Sequence, residues 1–195
     1  MTTNTNSHEF TLPFKGKRKY IHGTDIIACI EKTFENSKIE KFKIDFLDDI
    51  SQNIIKLIKV EKSSIDEGAK IKAKFNINET KFHIISIGEN KNIPNIEYDE
   101  HLVTKGYTLS GKTIKLKKNK NFTEIEIIVA LNKILLESIF NLRDFWFVNL
   151  EITLFPLFFN EVELRYNKSL FNKFHETKIY TDNNFIGHIR FQNKI

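Results

Sequence analysis

The densest group of polar residues beside a predicted helix start is Tyr20-Ile21-His22-Gly23-Thr24-Asp25, and Glu31 follows about two turns further along the same helix. A histidine with nearby carboxylates can take and give protons near neutral pH. Each of these residues also has a plainer reading. An acid in a first turn complements the positive end of the helix dipole, which accounts for Asp25 without any chemistry. His22 taken alone is an ordinary loop histidine. Asp45, Asp48 and Asp49 could line a cleft, but acids between strands usually form a solvated turn. His83 and His188 fall in predicted strands, where alternation alone exposes one face. Glu97, Asp99, Glu100 and His101 are irregularly spaced, and His101 and His175 have no partner at ligand spacing, so no metal site is expected. The single cysteine, Cys29, reads as a core residue of the helix. The aromatic runs 145–147 and 155–159 could line an apolar tunnel, but they read more simply as core.

These residues need elements to hold them, and the hydrophobic spacing supplies a list. Thr24 is the expected N-cap of the first helix, with Asp25 in its first turn. Ile26, Ile27, Ile30 and Phe34 recur at helical spacing, and the helix should end near Asn36 and Ser37. A short strand, Phe10–Phe14, precedes it, and residues 1–9 read as a disordered lead-in. Strands are expected at Phe42–Phe46, Ile54–Val60, Lys70–Ile77 and Phe82–Ile87, with a turn at Asn78-Glu79-Thr80. Residues 95–103 carry the chain into a second half. There, Tyr107–Lys117 is strand-like, and Thr123 caps a longer apolar helix carrying Ile127, Ile128, Leu131, Ile134, Leu135 and Ile139. Phe145–Phe155, Asn160–Tyr166 and a closing hairpin, Thr177–Thr181 and Phe185–Phe191, complete the series.

Composition narrows the class. With 195 residues, 41% hydrophobic content and 18 phenylalanines, the chain can build one generous domain or two small ones. No apolar run reaches the roughly 20 residues of a membrane helix, because Glu126, Asn132, Lys133 and Glu137 interrupt the longest one. One cysteine and a polar N-terminus suggest a cytoplasmic protein with no disulfide. The formal charge of +5 raises the question of nucleic acid. Arginine, the preferred phosphate and base reader, occurs only at positions 18, 143, 165 and 190. Most of the excess lysine then reads as a solvated face, and nucleic acid is the weakest of the partner readings.

The two halves correspond. Thr24-Asp25-Ile26 matches Thr123-Glu124-Ile125 at an offset of 99, and Lys74-Phe75 and Phe82 match Lys178-Ile179 and Phe185 at offsets of 104 and 103. One unit that buries its apolar face against a twin is the physical meaning of such a repeat. A strand, a helix and four antiparallel strands per unit is an order that resembles the hot-dog fold, in which a curved sheet wraps a long helix. The expected fold class is α+β, a double hot-dog, with units over residues 10–104 and 105–195 whose sheets join edge to edge. A tandem ferredoxin-like arrangement would need a second helix per repeat, and residues 42–87 and 145–191 keep a period of two instead.

The resemblance to hot-dog dehydratases and thioesterases implies a function. In the dehydratases a histidine in the loop before the central helix pairs with an acid on that helix, and a helix-terminal N–H polarises the thioester carbonyl. His22 is similar to that histidine, with Asp25 or Glu31 as the acid. The loop here departs from the family pattern in carrying only Gly23 and no proline between the histidine and the helix. Ile30, not Glu31, takes the place of the family's acid if the helices start together. The implied substrate is an acyl thioester on an acyl carrier protein or coenzyme A, bound where the two units meet, and a basic surface suits an acidic carrier. No cofactor is implied, and a homodimer is one option. The alternative is a binding or assembly protein that retains the fold without the site, since Asn121-Phe122-Thr123 offers no histidine in the second half.

Overall fold

A computed structural model of the chain describes residues 7–35, 37, 39–60, 71–87, 90–142 and 144–193, which fall into two units, Met1–Tyr98 and Asp99–Ile195. The first contains β1 (Ser7–Thr11), α1 (Gly23–Thr33), β2 (Ile39–Phe46), β3 (Ile54–Lys59), β4 (Ile71–Ile77) and β5 (Thr80–Ser86). The second contains α2 (Glu100–Val103), β6 (Thr108–Ser110), β7 (Thr113–Lys117), α3 (Glu124–Phe140), β8 (Phe145–Phe155), β9 (Glu161–Leu170), β10 (Phe174–Thr181) and β11 (Asn184–Asn193). Each unit thus places one main helix before four antiparallel strands, as the hydrophobic spacing predicts.

Three local expectations need correction. The first strand lies at Ser7–Thr11 and not at Phe10–Phe14, so Ser7, His8 and Glu9 leave the lead-in; Pro13 has no N–H to donate to a ladder. Residues 1–6 lie outside the described residues. Glu100–Val103 is a short helix, because Asp99 turns its side chain back to accept from the His101 N–H at 2.9 Å. The stretch from Tyr107 to Lys117 is a hairpin, β6 and β7, turned at Gly111 with φ +55°.

The predicted turns hold. Asn78 and Glu79 adopt φ of 45° and 70°, and Asp182 and Asn183 adopt 47° and 68°. Paired left-handed residues match the twist of the flanking strands, which fixes the hairpins β4–β5 and β10–β11. The way these hairpins join their sheets differs. The first unit has the order β1-β3-β5-β4-β2, whereas the second runs β6-β7-β9-β10-β11-β8. The leading strand of the hairpin neighbours β9 in the second unit, and the trailing strand neighbours β3 in the first. Connection length separates the cases. Phe171–Lys173 joins β9 to β10 so tightly that they must pair, whereas residues 60–70 separate β3 from β4 and impose no such neighbour.

Helix α3 sits against β7, β8, β9 and β10. Ile125, Ile127, Ile128, Val129, Ala130, Leu131, Leu135 and Leu136 are all buried, so only a narrow polar edge remains, as a wrapped helix requires. Its start is a reciprocal capping box: the Glu126 N–H donates to Thr123 Oγ1 at 3.2 Å, and the Thr123 N–H donates to Glu126 Oε2 at 3.1 Å. Thr123→Ala should therefore lower the stability of the second unit by about 1 kcal/mol, read as a lower urea midpoint at unchanged slope. In the first unit an aromatic series ties the helix end to the sheet. The Phe34 ring lies 5.4 Å from Phe82, which stacks on Phe75 at 4.7 Å.

Candidate functional site

The start of α1 is built differently from the sequence expectation. Its N-cap is His22, extended at φ −69° and ψ 133°, with no side-chain capping bond. Thr24 lies inside the first turn and is buried, so it cannot cap. Its hydroxyl instead meets His22 Nδ1 at 2.8 Å, which fixes the imidazole and links its tautomer to the hydroxyl's orientation. The His22 ring also packs at 5.6 Å from the Tyr98 ring.

Asp25 is in the first turn, as predicted, and makes an ion pair with Lys15 Nζ at 2.6 Å. Lys15 is only 6% exposed, an unusual position for a lysine that the paired carboxylate makes tolerable. The same ammonium stands 4.6 Å above the Tyr98 ring, and the Arg18 guanidinium lies 5.5 Å from it. Backbone bonds close the group: the Gly16 N–H donates to Ile96 O and the Ile96 N–H to Phe14 O, bringing residues 14–16 beside the segment leading to Tyr98. Gly16 adopts φ +59°, which glycine reaches without strain.

The structure thus brings His22 and Asp25 to one helix end, together with Lys15, Arg18 and Tyr98. It does not bring Glu31 there. Six residues beyond Asp25, Glu31 lies about 9 Å along the helix axis, half-buried and turned about 120° around it. Lys15 and Tyr98 carry no sequence signal for this role, since one follows a strand-like run and the other sits in a loop far along the chain. Chemically, the group holds an imidazole beside a hydroxyl, two cations near one aromatic ring and an acid neutralised by its lysine.

The weaker candidates resolve by burial and charge. Burial pushes the Cys29 thiol up to about 11, with the nearby Asp25 charge adding to the effect, so it stays a core thiol. No cluster of metal-binding side chains occurs among the described residues. Glu100 pairs with Lys133 at 2.9 Å, and Asp48 pairs with Lys72.

His175 is a buried histidine. Its Nε2 lies 2.8 Å from Asn193 Oδ1, and its ring packs 4.3 Å from Phe140. Burial holds its pKa below the ordinary 6.5, against the opposing effect of the hydrogen bond that the ring donates to Asn193 Oδ1. Folding therefore favours the neutral ring. The stabilisation is complete above about pH 6.5 and drains away as pH falls, because the unfolded chain takes up the proton first. The melting temperature should fall from about pH 7.5 to about pH 5.5, and His175→Gln should flatten that slope. His83 acts in the same direction, lowered by burial and then by Lys74 and Lys81.

A second polar group lies on the second unit's sheet. Glu176, 5% exposed, accepts from Arg190 Nε at 2.8 Å and from Asn167 Nδ2 at 2.7 Å, and Arg190 donates to Asn149 Oδ1 at 2.8 Å. Burial alone would raise the Glu176 carboxyl, but the hydrogen bonds from Arg190 and Asn167 and the Arg190 and His188 charges hold it below the usual carboxylate range. Lys168, Lys178, Tyr180, Phe185, His188 and Arg190 line a cleft of about 540 Å³ beside it. Lys178, His188 and Arg190 alternate with the core residues Ile179 and Ile189, so the cleft opens on the face away from α3. His188, read from the sequence as a strand-face residue, is 3.8 Å from Glu176 Oε1.

No protein-family model and no curated protein matches the sequence. Solved structures do match the fold. A protein from Novosphingobium aromaticivorans described as a thioesterase superposes with a TM-score of 0.55 at 8% identity, over 97% of this chain and 96% of its own. A protein from Thermobifida fusca described as a thioesterase II gives 0.54 at 6% identity, over 99% and 94%. The dehydratase domain of RzxB from Pseudomonas fluorescens gives 0.50 at 9% identity, over 94% of each chain. At these identities the likeness is one of fold. Two units in tandem, each with its main helix ahead of four antiparallel strands, and matches that run nearly end to end give this α+β chain the double hot-dog fold.

Proposed function

We propose that the protein binds acyl thioesters, carried on coenzyme A or an acyl carrier protein, and acts on them as a dehydratase or thioesterase with His22 as the acid–base residue. The carrying observation is the placement of His22 at the N-cap of α1, with Nδ1 against Thr24 and its ring beside Tyr98, in a fold that also serves proteins described as thioesterases and dehydratases. Fold alone does not fix function, so the weight falls on this local geometry. In hydrolysis the imidazole would take a proton from water as the oxygen adds to the carbonyl carbon, and would return it to the departing thiol. In dehydration it would take the proton from the substrate carbon and return it to the hydroxyl, whose C–O bond breaks as the carbon–carbon double bond forms, so that water leaves. Asp25 assists by holding the Lys15 cation at the helix end, whereas Glu31, about 9 Å further along the helix, takes no part there. The basic surface favours a phosphate-bearing or acidic carrier.

Purified protein offered a panel of acyl-CoA and acyl-carrier thioesters should release free thiol or lose water at a rate above buffer. Neither product from any member of the panel would remove the catalytic reading. One observation favours a purely binding role in the second unit: its α3 begins with the Thr123–Glu126 capping box where α1 begins with a histidine. Bound acyl groups without turnover would establish that version.

A further inference from the structure

Asn132 lies in the middle of α3 with no solvent exposure, and neither its amide nitrogen nor its amide oxygen has a hydrogen-bond partner. Its neighbours one turn away on the helix are Ile128, Val129, Leu135 and Leu136, all buried. A fully buried amide with both ends unsatisfied carries a desolvation penalty, and such groups in folded proteins call for a specific explanation. The position is informative. Asn132 is nine residues after the N-cap Thr123, and Glu31 is nine residues after the N-cap His22. The two helices thus place different hydrogen-bonding side chains at the same station, one ionisable and one neutral.

We propose that the Asn132 amide is the hydrogen-bonding anchor for a ligand carbonyl in the second unit, its N–H donating to the oxygen of an acyl thioester; the choice of thioester rests on the function proposed above. The surroundings select the ligand's chemistry. An anion would need a compensating charge, and the helical neighbours offer only aliphatic groups. A hydrocarbon chain suits those neighbours, and a neutral amide suits one neutral acceptor. An acyl group joins these features: an apolar chain ending in a single carbonyl.

The test compares dodecanoyl-CoA with dodecyl-CoA, the thioether that lacks the carbonyl oxygen, by calorimetric titration of the full chain. Wild type should prefer the thioester by about tenfold, the worth of one hydrogen bond in a dry site. N132L, close to the amide in shape, and N132A should both lose that preference to within about twofold. N132L should melt at or above the wild-type temperature, because an apolar side chain leaves no buried amide unsatisfied. A preference kept by both variants, a wild type that binds the two compounds equally, or a melting temperature lowered in both variants would overturn the anchor while leaving acyl binding in place. A wild type that binds neither compound removes the thioester reading itself, and the anchor with it.

Discussion

Alanine at position 22 should lower thioester turnover by about 10²- to 10⁴-fold, the usual contribution of a placed proton-transfer group. The melting temperature should barely move. His22 caps α1 through its backbone and makes no side-chain capping bond, so truncation leaves the helix start intact. The structure also predicts how neighbouring variants differ. Thr24→Val keeps the shape of the buried side chain but removes the hydroxyl 2.8 Å from Nδ1. It should shift the pH profile of the rate more than its maximum, because the imidazole loses the partner tied to its tautomer. Asp25→Asn should lower stability as well as rate, since it strips the carboxylate from a lysine that is 6% exposed. If His22→Ala retains wild-type rates on thioesters that the protein demonstrably turns over, another group moves the proton and the α1 site loses its role.

Gly187→Ala should be the most damaging small substitution in the second unit. Gly187 lies in β11 opposite Ile152 of β8, at φ +155°. A Cβ there would sit 2.0 Å from the backbone oxygen of Glu151 and 2.8 Å from Ile152 Cα. Both contacts are backbone, so no side chain can swing aside to relieve them. The only relief is to move β8 away from β11, which opens the sheet beneath α3 and exposes Leu150 and Ile189, both fully buried. A loss of about 4 kcal/mol or more is expected, and a larger one would show as insoluble protein on expression. Gly111→Ala is the control. It shares a positive φ, +55°, but a Cβ there meets nothing within 4 Å, so it should cost only about 1 kcal/mol of backbone strain. Urea denaturation of the two variants side by side settles the matter: equal losses would mean that the clash is absorbed and that β8 is not held as closely as the geometry requires.

The local elements were legible in the order of residues alone. Period-two alternation and asparagine-rich turns set the hairpins, because residues such as Asn78 and Asp182 choose a left-handed turn without reference to the rest of the chain. The run of apolar residues after Thr123 determined both the start of α3 and its burial, since cap and stripe lie within one helix. The doubled order of elements, and with it the double hot-dog architecture, was legible for the same reason.

Packing set whatever depends on residues distant in sequence. The order of strands in the first sheet could not be read, because a hairpin alternating lysine with apolar residues presents the same buried face whichever strand leads, and residues 60–70 are long enough to permit either order. The cap of α1 moved from Thr24 to His22 once burial claimed the threonine. Lys15 and Tyr98 joined the candidate site only through the pairing of residues 14–16 with Ile96, and Glu31 left that end by simple helical rise. The Glu176–Arg190 pair exists only because β10 and β11 lie in register, and the unmet hydrogen-bonding capacity of Asn132 only because its surroundings close over it. A side chain's type is written in the sequence, whereas its dielectric surroundings and its partners are properties of the packed chain.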